Sequence, residues 1–147
     1  PLHDHGSEAD SERVQRTFVG VTLLHELESD GSGQAWKTLR DPLIPVLRNS
    51  QLKVWRYWDE GKSPVKADNP DLPTIVYCIP GTETWVVVCS YSEKDEDAVI
   101  AIDHETLGLP GDIKAVNYET GETLPMSSGK LRLKVAKHEV IGMKISE

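Results

Sequence analysis

The chain has 147 residues, enough for one ordinary domain or a small domain with an extension. Its 38% apolar and 27% charged residues are the composition of a globular protein. A net charge of -8 argues against a nucleic-acid partner, whose phosphates call for a basic surface, and against docking on anionic membranes.

Residues 1–16 are polar, with little to bury, and are expected to be a flexible N-terminal segment. His3-Asp4-His5 offers two histidines close together, short of the four ligands that a structural site normally assembles, so no metal is expected. The chain opens on Pro1 rather than Met, which suggests a cut from a longer protein, and no charged n-region followed by an apolar h-region marks a signal peptide. The longest uncharged apolar run, Thr17 to Leu24, is far shorter than the roughly 20 residues that span a bilayer.

Thr17 to Leu27 lacks clean alternation and reads as a strand buried on both faces. After a polar loop, Ala35, Trp36, Leu39, Leu43, Val46 and Leu47 recur at helical spacing. Asp41-Pro42 inside that pattern predicts a break, with Asp41 as N-cap of the second part and Pro42 as its first helical residue. Strand, loop and broken helix make one β/α unit over 17–50, the building block of parallel sheets. One such unit cannot close a core.

Leu52 to Trp58 is the next expected strand, with Lys53, Trp55 and Tyr57 on one side and Val54, Arg56 and Trp58 on the other. The loop from Asp59 to Pro73, with Gly61 and three prolines, is long enough to wrap a sheet edge. Thr74 to Tyr91 then forms a hairpin around Pro80-Gly81-Thr82-Glu83. Its second arm, Trp85 to Cys89, is uncharged on both faces and belongs at the centre of a sheet with protein on each side. A turn centred on Gly81-Thr82 pairs Cys78 with Trp85 and Cys89 with Thr74. The two thiols then lie about 13 Å apart at strand rise, beyond the reach of a disulfide. Both are expected as reduced core residues, a state that fits an exported protein and a cytoplasmic one alike.

Further strands are expected at Ala98 to Asp103, Ile113 to Asn117, Thr123 to Met126, Lys130 to Ala136 and Glu139 to Ile145, separated by turn signals rich in Gly, Asp and Ser. The strict alternation of Lys130 to Lys134 places one of its faces in water. About eight short strands at this spacing make 51–147 an antiparallel β-sandwich, so the predicted fold is mainly β, preceded by the β/α unit.

Candidate chemistry is sparse. His25 and Glu26 close the first expected strand, and in parallel α/β folds ligands gather at the C-terminal ends of strands. There Glu26 suits an acid, a base or an acceptor for a sugar hydroxyl, with His25 beside it. The plain alternative is a carboxylate that caps a neighbouring structure or is simply solvated. Trp55, Tyr57 and Trp58 have the flat apolar faces on which a pyranose stacks, although aromatics on short strands more often belong to cores. His104 and His138 stand beside turns with acidic neighbours and read as surface residues. No second His follows His25 four residues on, and no G-x-S-x-G, C-x-x-C, phosphate-binding loop or EF-hand spacing occurs. No cofactor is called for.

The Leu52 to Trp58 strand, the Thr84 to Tyr91 strand running into an acidic turn, Leu107-Gly108-Leu109-Pro110-Gly111, Ala115 to Glu122 with its E-T-G-E turn, and the closing strands from Lys130 to Ile145 form a recognisable series. It resembles the C-terminal region of a glycoside-hydrolase-like protein, in which a sandwich follows an alpha-galactosidase-like barrel. On that resemblance, residues 17–50 are the end of the catalytic barrel and 51–147 a non-catalytic accessory sandwich packed on the barrel of the same protein. A carbohydrate-binding module using the exposed aromatics, and a plain protein-interaction domain, are the alternatives. The resemblance carries no catalytic residue onto this chain. Glycoside hydrolysis needs two carboxyl groups flanking one bond, and no matched pair is legible, so activity from this chain alone is not expected.

Overall fold

The computed structural model describes residues 8–28, 31–59 and 61–147. The expected metal-poor His3 and His5 lie outside them. The fold is mainly β, with ten strands in two antiparallel sheets among the described residues. In chain order these are β1 (Lys53–Trp55), β2 (Val65–Ala67), β3 (Thr74–Ile79), β4 (Glu83–Cys89) and β5 (Glu96–Ile102). They are followed by β6 (Lys114–Asn117), β7 (Thr123–Leu124), β8 (Met126–Ser127), β9 (Lys130–Val135) and β10 (Val140–Ser146). One sheet has six strands in the order β1-β3-β4-β10-β6-β7, and the other has four, β2-β5-β9-β8.

The six-stranded sheet is buried on both faces at its centre, and period-two alternation assigns each residue to a side. Val76, Cys78, Val86, Val88, Met143 and Ile145 meet the four-stranded sheet in the sandwich core. Ile75, Tyr77, Val87, Cys89 and Val140 point the other way, into a second core under the helices. The central position expected for the second hairpin arm holds: β4 lies between β3 and β10. In β9, Leu131, Leu133 and Val135 are buried while the residues between them are exposed, as its alternation requires.

Helix α1 (Glu8–Leu24) supplies part of that second layer through Val19, Leu23 and Leu24. This corrects two expectations. Residues 8–16 are helical rather than loose, and Thr17 to Leu27 is no strand but the second half of α1 and its cap. Val19, Gly20, Leu23 and Leu24 recur at helical spacing and form the buried face. Val14 and Phe18 on the far side are also apolar, and the uncharged second half of the helix, Thr17 to Leu24, mimics a buried strand in composition. Gly20 lets α1 lie close, since a Cβ there would stand 2.5 Å from a methyl of Val140.

Among the described residues of 17–50 there is no strand, so the expected β/α unit is two helical stretches instead. The second stretch runs through a π turn (Trp36–Arg40), a 3-10 turn (Asp41–Leu43) and α2 (Ile44–Leu47). Asp41 is not an N-cap: its φ of -58° and ψ of -36° are helical, and its N–H donates to the Trp36 carbonyl. Pro42 lacks an N–H and would press its ring on a carbonyl one turn back. Widening the preceding turn relieves that contact without stopping the helix.

Three β expectations also shift. β1 stops at Trp55, because the N–H of Arg56 donates to Asp59 Oδ2 (2.8 Å) and the N–H of Asp59 to the Arg56 carbonyl (3.0 Å), which closes a turn. The loop toward Pro73 does wrap an edge, and within it Val65–Ala67 pairs with β5 as an unexpected strand. The hairpin register is displaced by one residue: Cys78 pairs with Thr84, and Tyr77 with Trp85. Three residues, Pro80 to Thr82, make the loop, with Gly81 at φ +71°. A one-residue slip exchanges faces, so Cys78 belongs to the sandwich core and Cys89 to the helix layer. Both cysteines are free and buried, and burial pushes the Cys89 thiol up to about 12. Alkylation without reductant should label neither thiol promptly in the native protein and both after denaturation. A chain with no alkylatable thiol after denaturation would contradict this placement.

The helical layer is tied to the sandwich by polar contacts. Arg16 donates from Nη1 and Nη2 to the two carboxylate oxygens of Glu119 (2.7 and 2.8 Å) and from Nη2 to the Val140 carbonyl (2.9 Å). Glu119 sits in the turn between β6 and β7, where Asn117 Oδ1 accepts from the N–H groups of Glu119 and Thr120. Its neighbour Tyr118 lays its ring over Gly142 and donates from its hydroxyl to the Leu39 carbonyl at 2.9 Å. The leucine-glycine-leucine loop plugs the sandwich core with Leu107 and Leu109, and the Leu107 carbonyl accepts from the Gly81 N–H at 3.1 Å. His104 is half-buried there, its Nδ1 2.8 Å from the Leu109 carbonyl, so it braces the loop instead of lying free on the surface.

Candidate functional site

Helix α1 ends in a cap that places the first two candidates. The N–H of Leu27 donates to the Thr22 carbonyl (2.8 Å) and that of Glu26 to the Leu23 carbonyl (3.1 Å), with Glu26 at φ +54°. This is the Schellman arrangement, in which the residue after the last helical one turns left-handed. Glycine usually takes that position; here it is glutamate. Tyr77, rising from β3, donates its hydroxyl to the same Leu23 carbonyl at 2.7 Å and fixes the helix end on the sheet. Burial raises the Tyr77 pKa well above the usual tyrosine range, so the phenol stays a donor.

The turn after β1 comes up against this cap. The His25 ring stacks on Trp58 at 5.6 Å between centroids and meets Tyr57 edge-on at 5.8 Å. Tyr57 and Trp58 meet edge to face at 4.8 Å. Both remain open to solvent, 43% and 46% exposed. Beside them the Arg56 guanidinium donates from Nε to the Glu26 carboxylate and lies 6.0 Å from the Trp58 ring centroid. The Glu26 hydrogen bond is the main reason that Arg56 is held more firmly protonated than usual. Asp59 holds the other side of the guanidinium at 3.8 Å.

Four of the five candidate side chains are thus brought together: His25, Glu26, Tyr57 and Trp58. Trp55 is not among them, because it is partly buried against the sandwich core. The position of Glu26 also differs from expectation. It closes a helix, not a strand. Its charge is engaged by Arg56, which also holds Asp59, so neither carboxylate stands free to flank a scissile bond. Among the described residues no three His, Cys, Asp or Glu side chains are grouped to hold a metal ion, and no helix is long and apolar enough to cross a membrane.

Sequence reasoning passed over Arg56, whose signal was its place between aromatics in Trp55-Arg56-Tyr57-Trp58. It also passed over Tyr91, 46% exposed, whose hydroxyl is raised mainly by burial, with Cys89 and Tyr57 adding to it. On the other side of Glu26 lies a cleft of about 480 Å³ between the α1 cap and α2, into which Glu28, Arg40 and Arg48 also face. A larger cleft, about 740 Å³, opens where the two sheets part near Asn117, Glu122 and Arg132, and no aromatic side chain lines it.

No family model matches the chain, nor does any curated protein. Among solved structures it is similar to a GH27 β-L-arabinopyranosidase from Geobacillus stearothermophilus in two forms. A variant complexed with arabinose gives 19% identity and a TM-score of 0.45, and the wild-type enzyme 20% and 0.44. Each match covers 54% of this chain, which spans only 18% of that enzyme's length. At this distance the two likenesses say nothing of what this chain binds or catalyses.

Proposed function

We propose that this chain is a non-catalytic accessory β-sandwich region of a carbohydrate-active protein, one with alpha-galactosidase-like architecture, and that its own contribution is to bind sugar at the His25–Tyr57–Trp58 corner. The observation that carries the reading is the exposure of Tyr57 and Trp58, 43% and 46%, while His25 holds their rings in place from behind. An aromatic face presented to solvent on a rigid support suits the C–H face of a pyranose, and a polar rim selects its hydroxyls. Arg56, Glu26 and Asp59 provide that rim. The resemblance of the strand and turn series to sandwiches that follow glycosidase barrels supports the carbohydrate context. The partner domain in this reading is the catalytic barrel of the same protein.

Titration with neutral hexose oligomers of the malto, cello and galacto series, followed by tryptophan fluorescence, tests it. Binding should shift the emission of the native chain, and Trp58→Ala should reduce affinity at least tenfold, the loss of about 1.4 kcal/mol. Unchanged emission with every oligomer would remove the reading. Because Trp58 is exposed at a turn, its removal should leave the melting temperature almost unmoved.

A protein-interaction role is favoured by one observation. Val14 and Phe18 project from the outer face of α1, 69% and 52% exposed, beside a groove of about 540 Å³ that reaches His138. Such a face suits packing against another domain. It predicts that Phe18→Ser improves the solubility of the isolated chain without touching the titration above.

A further inference from the structure

The aromatic corner and the cleft on the opposite side of the α1 cap share Glu26. Its carboxylate pairs with Arg56, whose guanidinium lies beside Trp58, and the same side chain lines the cleft. The two spaces are therefore neighbours across a single residue. The cleft, about 480 Å³, falls within the 300 to 1,000 Å³ usual for small-molecule sites.

Its lining has two chemistries. Leu27 and Leu47 are large apolar side chains left 59% and 37% exposed at its edge. Between them stand a carboxylate, Glu28, and two guanidinium groups, Arg40 and Arg48. Among the described residues the Arg48 side chain makes no hydrogen bond or ion pair, and the Arg40 guanidinium reaches only the adjacent Asp41 at 4.0 Å. Planar donor forks and carboxylate acceptors interleaved with apolar patches match a chain of pyranose rings. Vicinal hydroxyls take paired hydrogen bonds, and the C–H faces take the leucines. Opposite charges within the cleft favour a neutral ligand, since an acidic sugar would meet Glu26 and Glu28 as well as the arginines.

We infer that the corner and the cleft are two subsites of one site, so that the ligand is a neutral oligosaccharide of at least two or three units and not a single sugar. One unit stacks on Tyr57 and Trp58, and the next ones pass over Glu26 into the cleft, where Arg48 donates to ring hydroxyls. The inference rests on the sugar-binding reading above.

Chain-length dependence tests it. Dissociation constants are measured by titration for the one-unit methyl hexoside and the three-unit oligomer of whichever malto, cello or galacto series binds, first for the native chain and then for Arg48→Ala. The three-unit ligand should bind the native chain at least about tenfold more tightly than the one-unit ligand, the increment of one charge-assisted contact. Arg48→Ala should abolish most of that preference. The Arg48 side chain is exposed and has no partner among the described residues, so the variant is expected to fold as the native chain does. Equal affinity for one and three units, or a preference that survives in Arg48→Ala, overturns the two-subsite inference and leaves the corner standing. Absence of binding at both lengths removes the sugar-binding reading, and this inference with it.

Discussion

Replacing Arg16 by Met should destabilise the protein by about 2–3 kcal/mol, because it leaves the Glu119 carboxylate without the cation that compensates its burial. The Glu119 side chain is only 9% exposed and that of Arg16 is 28% exposed, so the cost should fall somewhat short of that for a fully buried pair. Three hydrogen bonds go at once, including the one to the Val140 carbonyl. For a chain of this size the loss corresponds to a melting temperature lower by about 5 to 10 °C. The double replacement Arg16→Met, Glu119→Leu removes the orphaned charge as well and should recover most of the stability. Thermal unfolding of the two single variants and the double one measures this directly. Single variants within experimental error of the native chain would mean that α1 does not depend on this clamp.

Gly108→Ala should cost about 2–5 kcal/mol, through two separate effects. Gly108 has φ +71°, a left-handed conformation that costs an L side chain about 1–2 kcal/mol. A Cβ there would also stand 2.8 Å from the Gly81 backbone nitrogen, a main-chain atom that cannot rotate aside as a side-chain tip can. Overpacking of that kind adds about 1–3 kcal/mol. Gly121 separates the two terms, for it has φ +76° and nothing within 4 Å of its Cβ position. Gly121→Ala should therefore show the conformational cost alone, about 1–2 kcal/mol. Equal losses in urea unfolding at both positions would show that the contact between the two loops carries no energy.

The strands were legible where side-chain chemistry states the answer locally. Alternation in Lys130 to Lys134 and the uncharged run Trp85 to Cys89 each follow from which faces are covered. The hairpin was legible too, but its register was not, because the choice between a two-residue and a three-residue loop turns on where Gly81 sits among its neighbours. Thr17 to Leu24 misled because it holds no charged residue and turns Phe18 outward, leaving no strongly polar side to betray a helix. The same error displaced the site. The residues His25, Glu26, Tyr57 and Trp58 were all singled out, but as parts of two separate units, whereas the packing of α1 on β3 through Tyr77 is what makes them neighbours. Contacts between residues some thirty positions apart leave no periodic trace in a chain.

The position of β10 bears on how this chain is born. Val140 to Ser146 fills the slot between β4 and β6, and Val140 lies beneath Gly20 of α1. A nascent chain leaving the ribosome can form the β3–β4 hairpin early, yet the sheet keeps a gap until these late residues emerge. Until then one long edge of β4 and the part of α1 around Gly20 that Val140 covers are exposed, the state in which wrong partners are captured. Closure over such sequence distances is slow. Completion of the six-stranded sheet thus turns on one late pairing, and a chaperone that shields β4 would act in the interval before it.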